Sequence, residues 1–325
     1  MGTVDTSIII STYNAPDRLE KTLWGYESQT ERDFEIIIAD DGSTDATKQL
    51  VDQYRDQGLP LRHVWHEDRG FQKNRILNKA LRVARGRYCI FTDGDCVPRS
   101  DFVEMHCRLR KPNQFLGMGC GVNVPAQIHE KFSHQDVTSG DIFSLEWLSS
   151  RATLPRRDRV RLSANQFTQT VFNFLTHRPT VFTGNGSSVW RQSAMAVNGF
   201  DERMRYGGED KDFGIRLSAF GLGSRLCKFS LVCVHLNHPR PYVDQNELRA
   251  NRKHLWKQRW RRTYWTDFGL EQGGLEQGGL EQGGLEQGGL EQGGLEQDGL
   301  EQGDNRPLAS STDSFQDGRD LREAG

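Results

Sequence analysis

Two aspartates one residue apart, Asp93 and Asp95, end an apolar run and could bind a divalent cation. Carboxylate oxygens are the hard ligands that Mg²⁺ and Mn²⁺ prefer. Gly94 between them carries no side chain, so a metal-bound phosphate could come close to the backbone. For an isolated Asp-Gly-Asp, a polar turn that caps the next helix is the better interpretation. The metal-site hypothesis therefore depends on the surrounding sequence.

A second acidic pair, Glu209 and Asp210, follows two glycines at 207–208. Apolar residues at helical spacing come next: Phe213, Leu217 and Phe220. This pattern places the acidic pair in the first turn of a helix, beside its positive end, where a carboxylate stays ionised and can accept a proton. The ordinary preference for acidic residues at helix starts explains one carboxylate but not the preceding glycine pair.

Strands and helices alternate through the first third of the chain and must position these residues. Short apolar runs at 7–12, 34–39, 61–65 and 88–92 predict buried strands. Leucines and tyrosines at helical spacing separate them. The alternation predicts an α/β fold with a doubly wound, parallel sheet. Right-handed crossovers then bring the carboxyl ends of the strands to one edge.

Polar residues suited to a nucleotide follow several of these predicted strands. Tyr13 could offer a flat face to a base, and Asp41 could accept from an imide N–H such as that of uracil. Arg69 or Lys73 could meet a phosphate, and Ser11 lies at the end of the first strand. Each residue alone is explained by helix capping or core packing. Together, at one edge, they favour a nucleotide site.

The segments SIIISTYN, IIIADDGSTD, HEDRGFQKNRILNKAL and RYCIFTDGDC resemble, in that order, family 2 glycosyltransferases of the GT-A fold. The resemblance spans about 1–240. It implies an inverting enzyme that uses a nucleotide sugar, most simply a UDP-sugar, with Mn²⁺ or Mg²⁺. It also implies that Ser11, Tyr13 and Asp41 contact the nucleoside. Asp93 and Asp95 correspond to the family's DXD pair, with Asp95 as the direct metal ligand.

The stretch NGFDERMRYGGEDKDFGIRL resembles the carboxyl-terminal motif of galactosyltransferase-type members of that family. The resemblance implies that Asp210 is the catalytic base and that Glu209 contacts the acceptor or donor. It also implies a metal-ligating histidine farther along the chain. Two histidines end the next predicted strand, and we favour His235 over His238 as that ligand. A galactose or N-acetylhexosamine donor follows from the resemblance alone.

The middle of the chain predicts a smaller acceptor-side region. Residues 101–180 contain a helix-like stretch, a strand-like FLGMGCGVNV and a polar, arginine-rich part. Residues 146–148 belong either to an acceptor-side lobe or to surface packing. Glycines around Gly184 and Asn185 would let the backbone lie against a sugar, although a plain hairpin turn explains them equally well.

Residues 247–265 interleave arginines and lysines with tryptophans and leucines. One interpretation is an interfacial helix on anionic lipid, near a lipid-linked acceptor. The other is a closing helix whose tryptophans pack on the domain. We therefore divide the chain into a GT-A domain (1–245), a basic aromatic segment (246–268) and a low-complexity tail (269–325).

The tail repeats Leu-Glu-Gln-Gly-Gly with a period of five. Five residues advance a helix by roughly 140°, so the leucines form no constant face and the tail is predicted to be disordered. Residues 1–268 carry 39 Lys and Arg against 31 Asp and Glu, whereas the tail carries 3 against 13. A basic body suits an anionic ligand such as a nucleoside diphosphate, or an anionic membrane surface.

Cysteine usage and hydropathy point to a cytoplasmic protein. The six cysteines form no CxxC pair, which is typical of reduced core residues. No stretch reaches the ~20 apolar residues of a membrane span, and no signal-peptide pattern opens the chain. We expect at most a peripheral contact with the cytoplasmic face of a membrane. Glycan or lipid-linked acceptors are the expected partners, and nucleic acid is not.

Two other functions fit parts of the sequence. A sugar nucleotidyltransferase also uses a doubly wound sheet, but its early glycine-rich, basic phosphate loop is missing from residues 11–18. A non-catalytic sugar-binding or scaffold protein could use the repeats to recruit partners. Glycosyl transfer explains more of the acidic residues, and more of the polar residues at the carboxyl edge of the sheet, than either alternative.

Overall fold

Four parallel strands, as the sequence predicts, form one side of a seven-stranded sheet. The computed structural model describes residues 4–176, 182–239 and 243–271. The four strands are β1 Thr6–Thr12, β2 Phe34–Asp40, β3 Leu61–Trp65 and β4 Tyr88–Asp93. They are hydrogen-bonded in the order β3-β2-β1-β4. Because all four run the same way, their carboxyl ends meet at one edge.

Helices cover both faces of this sheet, which explains why the strands are continuously apolar. The first three helices are α1 Pro16–Glu27, α2 Asp45–Asp56 and α3 Lys73–Val83. Ile8 and Ile10 of β1 share a core with α1 and α2, whereas Ile9 shares one with α3. The alternation follows from the two-residue period of a strand. All three isoleucines are fully buried.

Three further strands extend the sheet beyond β4 and make it mixed. They are, from β4 outward, β8 Ser187–Trp190, β6 Gln114–Gly117 and β9 Gly223–Leu226. β8 is antiparallel to both neighbours, and β6 is parallel to β9. α4 Phe102–Leu109 precedes β6 along the chain. The predicted α/β fold with a mostly parallel sheet is confirmed.

A second sheet of three short strands lies beside the carboxyl end of β4. Its strands are β5 Cys96–Pro98, β10 Cys233–Leu236 and β7 Val122–Val124, with β10 in the middle. His235 pairs with Cys96 across this sheet, so the residue after Asp95 adjoins the predicted histidine strand. The predicted strand-like FLGMGCGVNV is split between β6 and β7, with Gly119 at φ +83° between them.

The middle of the chain forms the predicted smaller region from short helices. These are α5 Ala126–His129, α6 His134–Thr138, a 3₁₀ turn at Asp141–Phe143, α7 Leu145–Ser149, α8 Arg156–Ser163 and α9 Gln166–Leu175. All of them except α9 contribute to a core shared with the second sheet. Trp147 packs edge-on against Phe132, with ring centroids 5.6 Å apart. Packing therefore accounts for Trp147.

Three later helices complete the described part of the chain: α10 Arg191–Ala196, α11 Glu209–Ala219 and α12 Gln245–Arg261. After α12 the chain returns to the core, and Leu270 is 4% exposed. The packed part thus continues past the predicted boundary at residue 268, into the first repeat. Residues 272–325, with the remaining repeats of the predicted tail, lie outside the described residues. Among the described residues, no helix combines the length and hydropathy that crossing a membrane requires.

Candidate active site

Asp93 lies at the carboxyl end of β4 and accepts hydrogen bonds from two neighbouring elements. The Ser11 hydroxyl, in β1, donates to Asp93 Oδ1 over 2.8 Å, and Lys73 Nζ, in the first turn of α3, donates to the same oxygen over 2.6 Å. Burial opposes the charge of Lys73, but the carboxylates of Asp93, Glu209 and Asp210 outweigh burial and raise its pKa. Lys73 is therefore a permanent cation among three carboxylates.

Asp95 lies against both candidate histidines. Its Oδ2 is 2.9 Å from His238 Nε2 and 3.4 Å from His235 Nε2. Burial alone would raise the pKa of Asp95, but the hydrogen bonds to His235 and His238 hold it below its ordinary value. The sequence favoured His235 as the metal ligand, whereas the structure brings both rings to Asp95 and His238 nearer.

The hydrogen bonds of His238 define which of its nitrogens can bind a cation. His238 Nδ1 lies 2.8 Å from the carbonyl oxygen of Pro239, which can only accept, so Nδ1 carries the proton. In the neutral ring, Nε2 then holds a lone pair that faces the Asp95 carboxylate. Two such groups meet favourably only with a proton or a cation between them. The arrangement fits a divalent-cation site.

Glu209 and Asp210 occupy the first turn of α11, but their side chains are held differently. Glu209 Oε2 accepts from the backbone N–H groups of Gly207 and Gly208, both at 2.8 Å. Asp210 Oδ2 accepts from the N–H of Gly184 at 3.0 Å. Burial, and then the charge of Glu209, raise the pKa of Asp210 to about 6. Asp210 is therefore a stronger base than an ordinary aspartate.

The two acidic pairs line a single cavity of about 990 Å³. Gly184 lies between them, since its N–H binds Asp210 and a Cβ there would be 3.7 Å from Asp93 Oδ1 and 3.2 Å from Lys73 Nζ. The same cavity is lined by Asn185, whose Oδ1 is buried with no hydrogen-bond partner among the described residues. The structure thus brings together residues that are far apart in the chain.

Tyr13 and Asp41 line the same cavity. Tyr13 is 48% exposed, and its hydroxyl donates to Asp68 Oδ2 over 2.8 Å, which leaves the ring face open. Asp41 is nearly buried. Its Oδ1 is 2.8 Å from His66 Nε2, and its Oδ2 accepts from the N–H of Gln72 at 2.9 Å. These bonds orient Asp41 and leave one lone pair on each oxygen for a ligand.

Arg69 is the predicted residue that the structure does not bring to the cavity. Its guanidinium pairs with Glu67 at 3.1 Å and is 65% exposed. It does not line the cavity, whereas Lys73 does. Position 69 follows Asp68 in a loop, and loop direction is not set by strand periodicity. Of the two predicted phosphate contacts, the structure supports Lys73.

Sequence reasoning missed His66, which immediately follows β3 and orients Asp41. A polar residue at the carboxyl end of a parallel strand was the available signal. It also missed the edge-on ring pair of Phe71 and Tyr206, whose centroids are 5.9 Å apart in the cavity wall. No local pattern links these two positions.

Helix α12 closes one side of the cavity with two leucines. Leu248 and Leu255 fill the spaces where side chains at Gly207 and Gly208 would lie, at 2.1 Å and 2.8 Å from ideal Cβ positions. His254 Nε2 lies 3.0 Å from Asp212 Oδ1 of α11. The helix therefore packs on the domain through leucines. Its tryptophans do not pack in this way, because Trp256 is 62% and Trp260 is 74% exposed.

Comparison with known proteins identifies the family. Residues 7–117 match the model described as Glycosyl transferase family 2. A Bacillus subtilis protein named uncharacterized glycosyltransferase YfnE is 30% identical over 278 residues, which cover 75% of this chain and 68% of that protein. The chain belongs to glycosyltransferase family 2. Membership makes the protein an enzyme and decides against the nucleotidyltransferase and scaffold alternatives.

Solved structures share the fold of this glycosyltransferase. Residues 1–349 of Staphylococcus aureus TarS, in complex with UDP-GlcNAc, give a TM-score of 0.54 at 14% identity over 79% of this chain and 69% of that one. The mannosyltransferase PcManGT from Pyrobaculum calidifontis, in complex with GDP-Man and Mn²⁺, gives 0.51 at 20% identity over 79% and 63%. These likenesses show the predicted GT-A fold.

Proposed function

We propose that this glycosyltransferase moves a hexose or N-acetylhexosamine from a UDP-sugar to a glycan or lipid-linked acceptor, with inversion at the anomeric carbon and with a divalent metal. The observation that carries the proposal is the convergence of Asp93, Asp95 and Asp210 on one cavity. The reaction needs a group that holds the metal and the diphosphate, and a basic carboxylate near it.

The donor's uridine is assigned to the end of the cavity near β1 and β2. The open ring face of Tyr13 suits a base, and the free lone pairs of Asp41 suit an imide N–H. A guanine base could also reach Asp41, since it carries N–H donors too. The UDP-GlcNAc complex of the structurally similar TarS supports uridine.

Mn²⁺ or Mg²⁺ is assigned to Asp93 and Asp95, with His238 or His235 completing the protein ligands. Ligand atoms of Asp93, Asp95 and Cys96 lie within 4.8 Å of one another, so these side chains can share an ion. Hard cations prefer the carboxylates to the thiol. When bound, the ion supplies charge neutralisation for the departing diphosphate. Lys73, bonded to Asp93, adds a fixed positive charge at the same place.

Asp210 is proposed as the general base. In its ionised form it takes the proton of the acceptor hydroxyl while that oxygen bonds to the anomeric carbon. The bond from that carbon to the diphosphate breaks, and the diphosphate leaves with the electron pair. The N–H of Gly184 holds Asp210 Oδ2 in place. A single displacement of this kind inverts the configuration.

The proposal is tested by incubating the protein with Mn²⁺ and a set of UDP- and GDP-sugars and measuring release of free nucleoside diphosphate. We expect slow hydrolysis of one UDP-sugar, accelerated by a hydroxylated acceptor, and ¹H NMR of the product should show the inverted anomer. Retention would contradict the single displacement. Preference for a GDP-sugar would overturn the uridine assignment, and no release with any donor would overturn the proposed function.

A peripheral membrane contact through α12 is part of the proposal. Its exposed tryptophans lie among basic residues, and such a surface binds anionic lipid. We expect the protein to sediment with vesicles of phosphatidylcholine and phosphatidylglycerol but not with phosphatidylcholine alone. The double variant Trp256→Ser/Trp260→Ser should lose this binding, whereas Phe220→Ser, on another exposed aromatic, should keep it. Equal sedimentation of all three proteins would contradict the assignment.

A further inference from the structure

Arg18 is a cation of the cavity wall to which neither the sequence nor the comparisons assign a role. It lies in the first turn of α1 and lines the cavity. Its Nε is buried and has no hydrogen-bond partner among the described residues. Among those residues its guanidinium also makes no ion pair, in contrast to Arg69, which pairs with Glu67. A buried donor without an acceptor costs stability unless a ligand supplies one.

The packing of α1 places Arg18 beside the predicted metal ligands. Gly25 of this helix lies against Pro98, since a Cβ there would be 2.6 Å from Pro98 Cδ. One turn earlier in α1, the Thr22 hydroxyl donates a hydrogen bond of 3.0 Å to the carbonyl oxygen of Gly94, which lies between the two aspartates. Residues four apart lie on the same face of a helix. Arg18 therefore lies on the same face of α1 as Thr22, one turn closer to the start of the helix, where it lines the cavity.

Arg18 is also near the histidine end of the site. Burial lowers the pKa of His129, and the charges of Lys21 and Arg18 lower it further. His129 Nε2 is 3.0 Å from the carbonyl oxygen of Asn237, the residue before His238. The observations that place Arg18 at the metal end of the cavity are its helix face, shared with Thr22, and its position in the cavity wall.

The carboxylates at this end are already paired, so Arg18 has no protein anion to neutralise. Asp93 accepts from Ser11 and Lys73, and Asp95 lies against His238. A divalent ion would balance the two carboxylates, and a diphosphate would then bring additional negative charge. A guanidinium offers several N–H donors that match phosphate oxygens.

We propose that Arg18 binds the diphosphate of the donor and stabilises it as it leaves. This inference rests on the proposed function, because it requires a nucleoside diphosphate in the cavity. Arg18 thereby takes the role of phosphate contact that the sequence had predicted for Arg69.

The test compares the affinities of UDP and uridine for the full chain in the presence of Mn²⁺, by calorimetry for UDP and ligand-observed NMR for uridine. The variants are Arg18→Gln and Arg18→Lys, with Lys21→Gln as the control, since Lys21 is on the same helix but does not line the cavity. We expect Arg18→Gln to lower the affinity for UDP roughly tenfold or more, as for loss of a hydrogen bond to a charged group. Uridine affinity should change less than about twofold, because the contact is to phosphate.

Arg18→Lys should recover part of the UDP affinity, and Lys21→Gln should bind UDP like the wild type. Unchanged UDP affinity in Arg18→Gln would overturn the assignment, and so would an equal loss for UDP and uridine, which indicates a structural role. If the wild type binds UDP and Arg18→Gln binds it equally, only this inference fails. If the wild type binds neither UDP nor GDP, the proposed function fails with it.

Discussion

At the scale of single residues, the site separates its carboxylates by their surroundings. Hydrogen bonds to two histidines keep the pKa of Asp95 low against the effect of burial, which suits a metal ligand. Burial and the charge of the neighbouring Glu209 raise the pKa of Asp210 to about 6, which suits a proton acceptor. Different environments thus suit two chemically identical side chains to the two proposed roles, metal binding and proton transfer.

The first prediction concerns Asp210. Asp210→Asn removes the proton acceptor, and we expect kcat to fall roughly 10²- to 10⁴-fold while the Kd of UDP with Mn²⁺ changes little. Because Asp210 must be ionised to act, kcat/KM of the wild type should fall as the pH drops below about 6. A large loss of UDP affinity in Asp210→Asn would instead make Asp210 a donor-binding residue.

The second prediction distinguishes the two histidines. His238→Ala should weaken Mn²⁺ binding, measured by electron paramagnetic resonance with UDP present, more than His235→Ala does. The reason is that His238 Nε2 lies 2.9 Å from Asp95 Oδ2, whereas His235 Nε2 lies 3.4 Å from it. Asp95→Asn should weaken binding at least as much as either. A larger effect of His235→Ala would restore the ligand that the sequence favoured.

At the scale of elements, the contact between α11 and α12 shapes the side of the cavity next to Asp210. Gly208 precedes α11 with φ +112°, a conformation that other residues adopt at a cost. Leu255 of α12 occupies the space that a side chain at Gly208 would need. The glycine pair therefore serves two purposes: it turns the chain into α11 and receives the leucines of α12.

The third prediction uses a glycine at each end of α11. Gly208→Ala and Gly221→Ala both place a side chain at positive φ, +112° and +105°, at a cost of roughly 1–2 kcal/mol. Only position 208 also meets Leu255, at 2.8 Å, whereas nothing lies within 4 Å at 221. Urea unfolding should show the larger loss for Gly208→Ala, and only that variant should lower kcat. Equal losses of stability in the two variants would mean that Leu255 of α12 moves aside without a measurable cost in the free energy of unfolding.

At the scale of the whole molecule, the chain after α12 forms hydrogen bonds with Asn198, in the segment that precedes α11, and packs on the core. Asn198, at φ +61°, receives the N–H of Leu270 on its carbonyl and that of Glu271 on its side chain, and it donates to the carbonyl of Thr266. Leu270 packs among the core residues around α3 and α11. Residues 269–271, at the start of the first repeat, are thus a structural part of the domain.

The fourth prediction follows from this burial. Leu270→Ala should lower the free energy of unfolding by roughly 2–5 kcal/mol, as for a buried leucine. Leu175→Ala is the control, because Leu175 is 70% exposed and should cost little. Urea denaturation of both variants measures the difference. A Leu270→Ala variant as stable as Leu175→Ala would show that the domain ends before the repeats.

Local patterns in the sequence were sufficient to predict the four parallel strands of the large sheet and the edge where their carboxyl ends meet. Apolar runs at 7–12 and 88–92 specify buried strands, and parallel strands bring their carboxyl ends together whatever the details of packing. Ser11, Asp41 and Asp93 are found at that edge for this reason. The glycine pair and the helical spacing after it similarly predicted that Glu209 and Asp210 begin α11.

Only the tertiary structure decided which side chains meet. Asp93 and Asp210 share a cavity because Gly184 lies between them, and no local period relates those three positions. The same holds for the closeness of His238 to Asp95 and for the burial of Leu270 in a repeat that looks uniform. Periodicity records which face of an element is apolar, whereas the partner across that face depends on how distant parts of the chain pack.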